Sequence, residues 1–134
     1  MIEFFMPMRN APTATHQMKQ VAVRNGKPHF YEPEDVAAVR SKLMAHLSRH
    51  RIEKPLTGPV QVITKWCFPI TGKYKNGQWK ATKPDCTNLQ KMLEDCMTDS
   101  GFWKDDQQIA STVIQKFWSE VPGIYIKIEP LSND

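Results

Sequence analysis

The chain has 134 residues, of which 40% are hydrophobic and 24% charged, with 6 Gly, 10 Pro and a formal net charge of +4 at pH 7. A chain of this length is about one domain and buries roughly two thirds of its unfolded surface without staples, so residues 1–134 are expected to form a single domain. The composition excludes low-complexity and collagen-like chains, and no apolar run approaches the roughly 18 residues of a membrane span.

The first residues, Met1-Ile2-Glu3, are acidic, and Pro7 interrupts the short apolar stretch after them, which reads against a signal peptide. Residues 1–8 predict a short strand, and 9–20 are irregular and polar. Val21-Ala22-Val23 and His29-Phe30-Tyr31 flank Asn25-Gly26, a hairpin signal because both central residues of such a turn need positive φ. Pro33 suits a first helical position and Glu34 and Asp35 suit the helix dipole. With Val36, Val39, Leu43 and Leu47 at helical spacing, they predict a helix over 33–49. Val60, Val62, Thr64 and Trp66 alternate on one face, predicting a strand over 59–68.

A second turn pair, Asn76-Gly77, marks a hairpin or loop that carries Lys73, Lys75, Lys80 and Lys83 with Tyr74 and Trp79. Lysines interleaved with aromatics suit phosphate neutralisation plus base or sugar stacking. They equally suit a solvated hairpin whose Trp79 packs back on the domain. Pro84 and Asp85 open the next helix, in which Leu89, Met92, Leu93, Cys96 and Met97 follow the amphipathic rule and Asn88, Lys91 and Asp95 share the polar face. Ser100-Gly101 ends it, with Gly101 fitting a left-handed cap. After the loop Phe102-Trp103-Lys104-Asp105-Asp106 come strands over 109–118 and 124–129, the latter with Ile124, Ile126 and Ile128 on one face. Helices and strands that mix without regular alternation predict an α+β (mixed α/β) fold, a small mixed sheet with hairpins covered by two main helices.

The three cysteines, Cys67, Cys86 and Cys96, are odd in number and lack CxxC spacing, so no disulfide framework follows and a reducing cytoplasm fits best. His46 and His50 have the spacing of helix ligands but no partner ligands nearby in sequence. Charge is unevenly placed. Residues 1–84 hold fourteen Lys/Arg against five Asp/Glu, whereas residues 85–134 hold four against nine. A basic stretch abutting an acidic cluster suits a metal-dependent nuclease, in which lysines hold phosphates and carboxylates hold a cation.

The informative segment is Lys83-Pro84-Asp85-Cys86-Thr87-Asn88-Leu89-Gln90-Lys91, then Asp95, then Gly101-Phe102-Trp103-Lys104-Asp105-Asp106-Gln107. It resembles the RusA family of Holliday-junction resolvases, whose pattern is a basic residue, Asp, any residue, Asp, Asn, Leu, any residue, Lys, followed by an Asp on the same helix and an aromatic-x-Asp-Asp-x-Gln loop. Lys116-Phe117-Trp118 and Pro122-Gly123-Ile124 resemble a terminal hairpin of the family. Weaker matches lie in Pro12-Thr13-Ala14-Thr15-His16 and Gly26-Lys27-Pro28.

The resemblance implies a homodimer that cuts four-way DNA junctions by paired symmetric nicks in recombination and repair, in a cell or a prophage. It implies Asp85 and Asp106 as catalytic carboxylates binding Mg²⁺ (or Mn²⁺), with Asp105 beside them, Lys91 near the scissile phosphate and Asn88 as a phosphate or site-shaping contact. Lys73, Lys75, Lys80 and Lys83 would bind DNA. Thr87 departs from the pattern, standing where the family has a second Asp. That loss predicts weaker metal binding, and an alternative function as a junction-binding protein with little or no catalysis. Thr87 could hold a water, or Asp105 or Asp95 could supply the charge. Asp95 lies ten residues from Asp85, roughly 15 Å along a helix, too far to share one ion with it. Each residue has a plainer role as well: Asp85 as an N-cap, Asp105-Asp106 as a turn, Lys91 and Asp95 as a surface ion pair, and Cys86 as a buried structural thiol.

Overall fold

The computed structural model describes residues 1–10, 20–24, 27–31 and 34–133. Six strands, β1 (Ile2–Pro7), β2 (Gln20–Arg24), β3 (Lys27–Tyr31), β4 (Val60–Pro69), β5 (Ile109–Ser119) and β6 (Gly123–Pro130), are joined by two helices, α1 (Glu34–Leu47) and α2 (Cys86–Asp99). Strands β2 and β3 form an antiparallel pair; the Asn25-Gly26 turn between them, like the polar stretch 11–19, lies outside the described residues. The other four strands form one mixed sheet in the order β1-β6-β4-β5.

Strand β4 is the central element because its sequence alternates. Val60, Val62, Thr64, Trp66 and Phe68 are all buried on one face. Ile124, Ile126 and Ile128 of β6 extend that face, in register with β4 through Thr64↔Ile126 and Trp66↔Ile124. Leu89, Met92, Leu93, Cys96 and Met97 of α2 and Val36, Leu43 and Leu47 of α1 join them in one core. Burying a side chain of the Leu, Ile or Met class stabilises by about 1.5–3 kcal/mol, so this shared layer supplies most of what holds the helices on the sheet.

The expected terminal hairpin does not form. β4 stands between β5 and β6, antiparallel to β6 and parallel to β5. Residues 120–122 cross the end of β4, a span of two strand spacings or about 9.6 Å, which four Cα steps reach easily. Parallel pairing of β4 and β5 requires a long crossover, and residues 70–108, containing α2, provide it. The predicted polar helix start and the amphipathic stripe are thus the middle of a β-α-β unit.

Helix α2 ends in a Schellman arrangement. Gly101, at φ +87°, donates to the Thr98 carbonyl at 3.0 Å, and the Phe102 amide donates to the Met97 carbonyl at 3.1 Å. This turn drives Phe102 and Trp103 into the core. The Trp103 indole N–H is satisfied by Thr98 Oγ1 at 2.7 Å. His50 stacks on Phe4 with ring centroids 4.3 Å apart, which gives that ring a packing role under β1.

Candidate active site

The segment between β4 and α2 does not fold back on itself as a hairpin. It lies along the outer edge of β5: Gly77 N–H donates to the Trp118 carbonyl (2.8 Å), Trp118 N–H to the Gln78 carbonyl (2.9 Å) and Lys80 N–H to the Lys116 carbonyl (3.1 Å). Tyr74 stacks on Trp118 at 4.4 Å, Trp79 leans on Phe117 at 4.5 Å, and Lys80 Nζ stands 3.9 Å from the Trp118 ring centre. The arrangement covers what would otherwise be a bare sheet edge and fixes the lysine-bearing stretch in place. Lys73, Lys75 and Lys83 are exposed and Lys80 is half-buried. Burial first, then the Lys116 charge, holds the Lys80 ammonium below the usual lysine range.

Lys116, on β5, ties the end of this segment down. Its Nζ donates to the carbonyls of Thr82 (2.7 Å) and Pro84 (2.9 Å), directly before Asp85. Asp85 then caps α2, its Oδ1 accepting from the Thr87 N–H at 3.0 Å. Its side chain is therefore fixed at the positive end of the helix dipole. Trp79, Lys80, Lys83, Asp85, Thr87 and Lys116 share the wall of one open groove of about 530 Å³. Cys86 beside them is buried, and burial pushes its thiol up to about 11, so it stays protonated near neutral pH.

Asp106 stands elsewhere along the helix. It opens a 3-10 turn, Asp106–Gln108, which Asp105 caps in a box with Gln108. It lies close enough to Lys91, Glu94 and Asp95 to feel their charges. About 9 Å of helix rise separates Asp85 from Lys91. Asp95, Asp105 and Asp106 line a second depression with Arg40, Thr98, Asp99 and Lys104. The structure thus groups the predicted residues in two sets. Asp85, Thr87, Lys80 and Lys83 share the first depression, and Asp105 and Asp106 the second, with Lys91 beside Asp106. Asn88 is half-buried on α2. Asp95, which sequence spacing sets apart from Asp85, keeps company with Asp106.

The Asp105 and Asp106 carboxyls are close enough to perturb each other. Asp105 is held below the ordinary carboxylate range, first by the Gln107 backbone N–H and then by the Gln107 side chain. Asp106 is pushed up, first by its neighbour Asp105. Two exposed acids side by side are a place where a hard cation would relieve repulsion, and carboxylate oxygens are the donors that Mg²⁺ takes. Among the described residues, no three His, Cys, Asp or Glu side chains converge as a ready-made metal cage. The donor set fits an ion held by one or two carboxylates plus water.

Three residues that spacing did not single out shape the site. Gln90 is 3% exposed on the apolar stripe of α2. Its Oε1 accepts from Thr64 Oγ1 (2.6 Å) and Trp66 Nε1 (3.2 Å), and its Nε2 donates to Glu94 Oε2 at 3.1 Å. This buried network aims Glu94 toward Asp106. Burial raises the Glu94 carboxyl above its usual range, Gln90 counters in part, and Asp106 and Asp95 add to the rise. A glutamine on an otherwise apolar stripe was the available sequence signal. Lys116, in a strand of mixed character, stood out only within the Lys116-Phe117-Trp118 resemblance, which gave it no site role.

Residues 10–129 match the family model described as "Endodeoxyribonuclease RusA". This chain belongs to the RusA endodeoxyribonuclease family. Membership makes it a nuclease, a hydrolase of phosphodiester bonds in DNA. It is similar to the "Crossover junction endodeoxyribonuclease rusA" of Lactococcus phage r1t, 30% identical over 128 residues that cover 94% of this chain and 95% of that protein. It is also 30% identical over 122 residues to "Uncharacterized protein YqaN" of Bacillus subtilis (strain 168), covering 83% of this chain and 85% of that one.

Proposed function

We propose that this RusA-family nuclease resolves four-way DNA junctions by paired symmetric nicks, acting as a homodimer in cytoplasmic recombination and repair. The reading is carried by the groove in which Lys80, Lys83 and Lys116 stand with Asp85 and Thr87. The 30% identity to a phage crossover junction endodeoxyribonuclease supports the substrate. Asp85 and Asp106, with Asp105 beside the latter, would hold Mg²⁺ or Mn²⁺. When bound, the cation supplies Lewis-acid polarisation of the scissile phosphate and eases deprotonation of the attacking water. Lys91 offsets the negative charge that grows on the phosphate in the transition state. Lys73, Lys75, Lys80, Lys83 and Asn88 hold the DNA backbone and set its position without reading bases. Two copies related by a two-fold axis present two such grooves to a two-fold branched substrate.

Thr87 supports a second reading, a junction-binding protein of weakened catalysis. Its hydroxyl is exposed where the family has a carboxylate, and a neutral oxygen attracts a cation less than a charged one. Cleavage of a synthetic four-way junction, with Mg²⁺ and with EDTA, separates the two when run beside Thr87→Asp. Symmetric nicks that EDTA abolishes establish the resolvase. Binding without nicks, with cleavage restored in Thr87→Asp, establishes the second reading. Neither binding nor nicks in either protein refutes both.

A further inference from the structure

Trp79 is 65% exposed, while Trp66, Trp103 and Trp118 are buried. An indole left in water is costly, and here it has no freedom to fold inward. Its chain neighbours are pinned on both sides, Gln78 through its carbonyl to the Trp118 N–H and Lys80 through its N–H to the Lys116 carbonyl. Phe117 supports the ring from beneath, with centroids 4.5 Å apart and planes tilted by 32°. The ring stands at the wall of the groove that contains Asp85, with Lys80, Lys83 and Lys116 along the same wall.

A rigid, exposed aromatic set among cations fits one chemistry closely. The cations take the phosphates of a strand and the ring takes a base. Stacked bases in a duplex have no free face to offer, whereas a branch point releases bases from stacking. Resting on the junction-binding reading above, we propose that Trp79 stacks on the face of a nucleobase left unstacked at the branch, next to the strand held in the Asp85 groove. This makes Trp79 a residue that selects branched over linear DNA. The lysines alone would hold both forms alike, because phosphate contacts carry no information on base stacking.

The test uses the full chain in EDTA, a synthetic four-way junction and a linear duplex of the same sequence. Binding is read by anisotropy of labelled DNA and stacking by tryptophan emission. Trp79 is the one exposed indole among the four, so junction binding is expected to quench the wild-type emission, and the quench is expected to vanish in Trp79→Phe. Trp79→Ala is expected to lose roughly ten- to hundred-fold in junction affinity, the range for one stacked base. Its duplex affinity and the salt slope of its junction affinity should stay unchanged, since no phosphate contact is removed. Junction binding that leaves the wild-type emission unchanged overturns the proposal while the resolvase reading stands. A loss of affinity in Trp79→Ala that comes with a change in its sedimentation would assign the ring to a subunit contact and also overturn it. Absence of junction binding by the wild type sinks the resolvase reading and this inference together.

Discussion

Replacing Lys116 with Met should loosen the approach to α2 while leaving the core intact. The ammonium makes two hydrogen bonds, to Thr82 O at 2.7 Å and Pro84 O at 2.9 Å. A hydrogen bond with a charged partner contributes about 1.5–3 kcal/mol when buried. Lys116 is half-buried, so roughly 1 kcal/mol each is the reasonable share, about 2 kcal/mol together. That corresponds to about a thirty-fold rise in the population of loop-open molecules. Methionine keeps the length and apolar stem, so the effect isolates the lost bonds. Amide hydrogen exchange reads it directly. The Thr87 amide, held by Asp85 Oδ1, and the Lys80 amide, held by the Lys116 carbonyl, should exchange about thirty-fold faster. The amide of Ile126, in the middle of the sheet, should not change. Junction cleavage should fall more than junction binding, because Asp85 is misplaced more often than the lysines are removed. Unchanged exchange at Thr87 and Lys80 would refute the assignment of Lys116 as the tie of this segment.

Other expectations follow from the same geometry. Asp85→Asn should keep thermal stability within a few tenths of a kcal/mol, since Asn caps as well as Asp, whereas Asp85→Ala should cost about 1 kcal/mol. Both should lose cleavage, and an active Asp85→Asn would reduce Asp85 to a cap. Glu94 has a carboxyl raised above its unfolded value by burial, so the folded state binds its proton more tightly. Its contribution is fully present below the unfolded pKa and is lost as pH rises through the raised folded value. Glu94→Gln should therefore gain in melting temperature relative to wild type between pH 4 and pH 7, and a difference flat with pH contradicts the burial argument. At Gly123, with φ at +154°, an added Cβ would lie 2.4 Å from the Met6 carbonyl oxygen and 2.6 Å from the Phe5 ring. Gly123→Ala should cost about 3 kcal/mol or more and lower the melting temperature by about 10 °C, and a loss under 1 kcal/mol in denaturant titration would show that β1 shifts freely.

Most elements were legible from local rules because each has one strong period. The alternation over 59–68 became β4 (Val60–Pro69) with the same residues inward, and the amphipathic stripe after Asp85 became α2 with all five expected apolar residues buried. Gly101 is the left-handed cap that its position suggested. What local rules could not reach was strand order. Adjacent strands joined by a short Pro-Gly link suggest a hairpin. The β5–β6 link instead steps over β4, which pairs with both strands and whose buried face β6 extends through Ile124, Ile126 and Ile128. Periodicity reports which face is buried, and carries nothing about which edge is paired.

The site shows the same division. Sequence spacing picked out the carboxylates and the basic segment, and the structure gives Asp85 the cap that its place before a helix foretold. Spacing could not show that Asp85 and Asp106 open onto different depressions, because their separation depends on how the loop after α2 is turned back by Phe102 and Trp103. Nor could it show that the groove wall is held by residues far away in sequence. Lys116 comes from β5, and Glu94 is aimed by Thr64 and Trp66 of β4 through Gln90. In each case a polar side chain is committed to another part of the chain across the sheet. Such residues are paired by the fold, so their role is set by what they satisfy rather than by what surrounds them in sequence. The consequence bears on Thr87. Asp85 is held by the Thr87 backbone N–H, a bond independent of the side chain at 87, so an aspartate placed there would enter a site already organised. This is why Thr87→Asp is a test of chemistry, with little refolding of the groove to confound it.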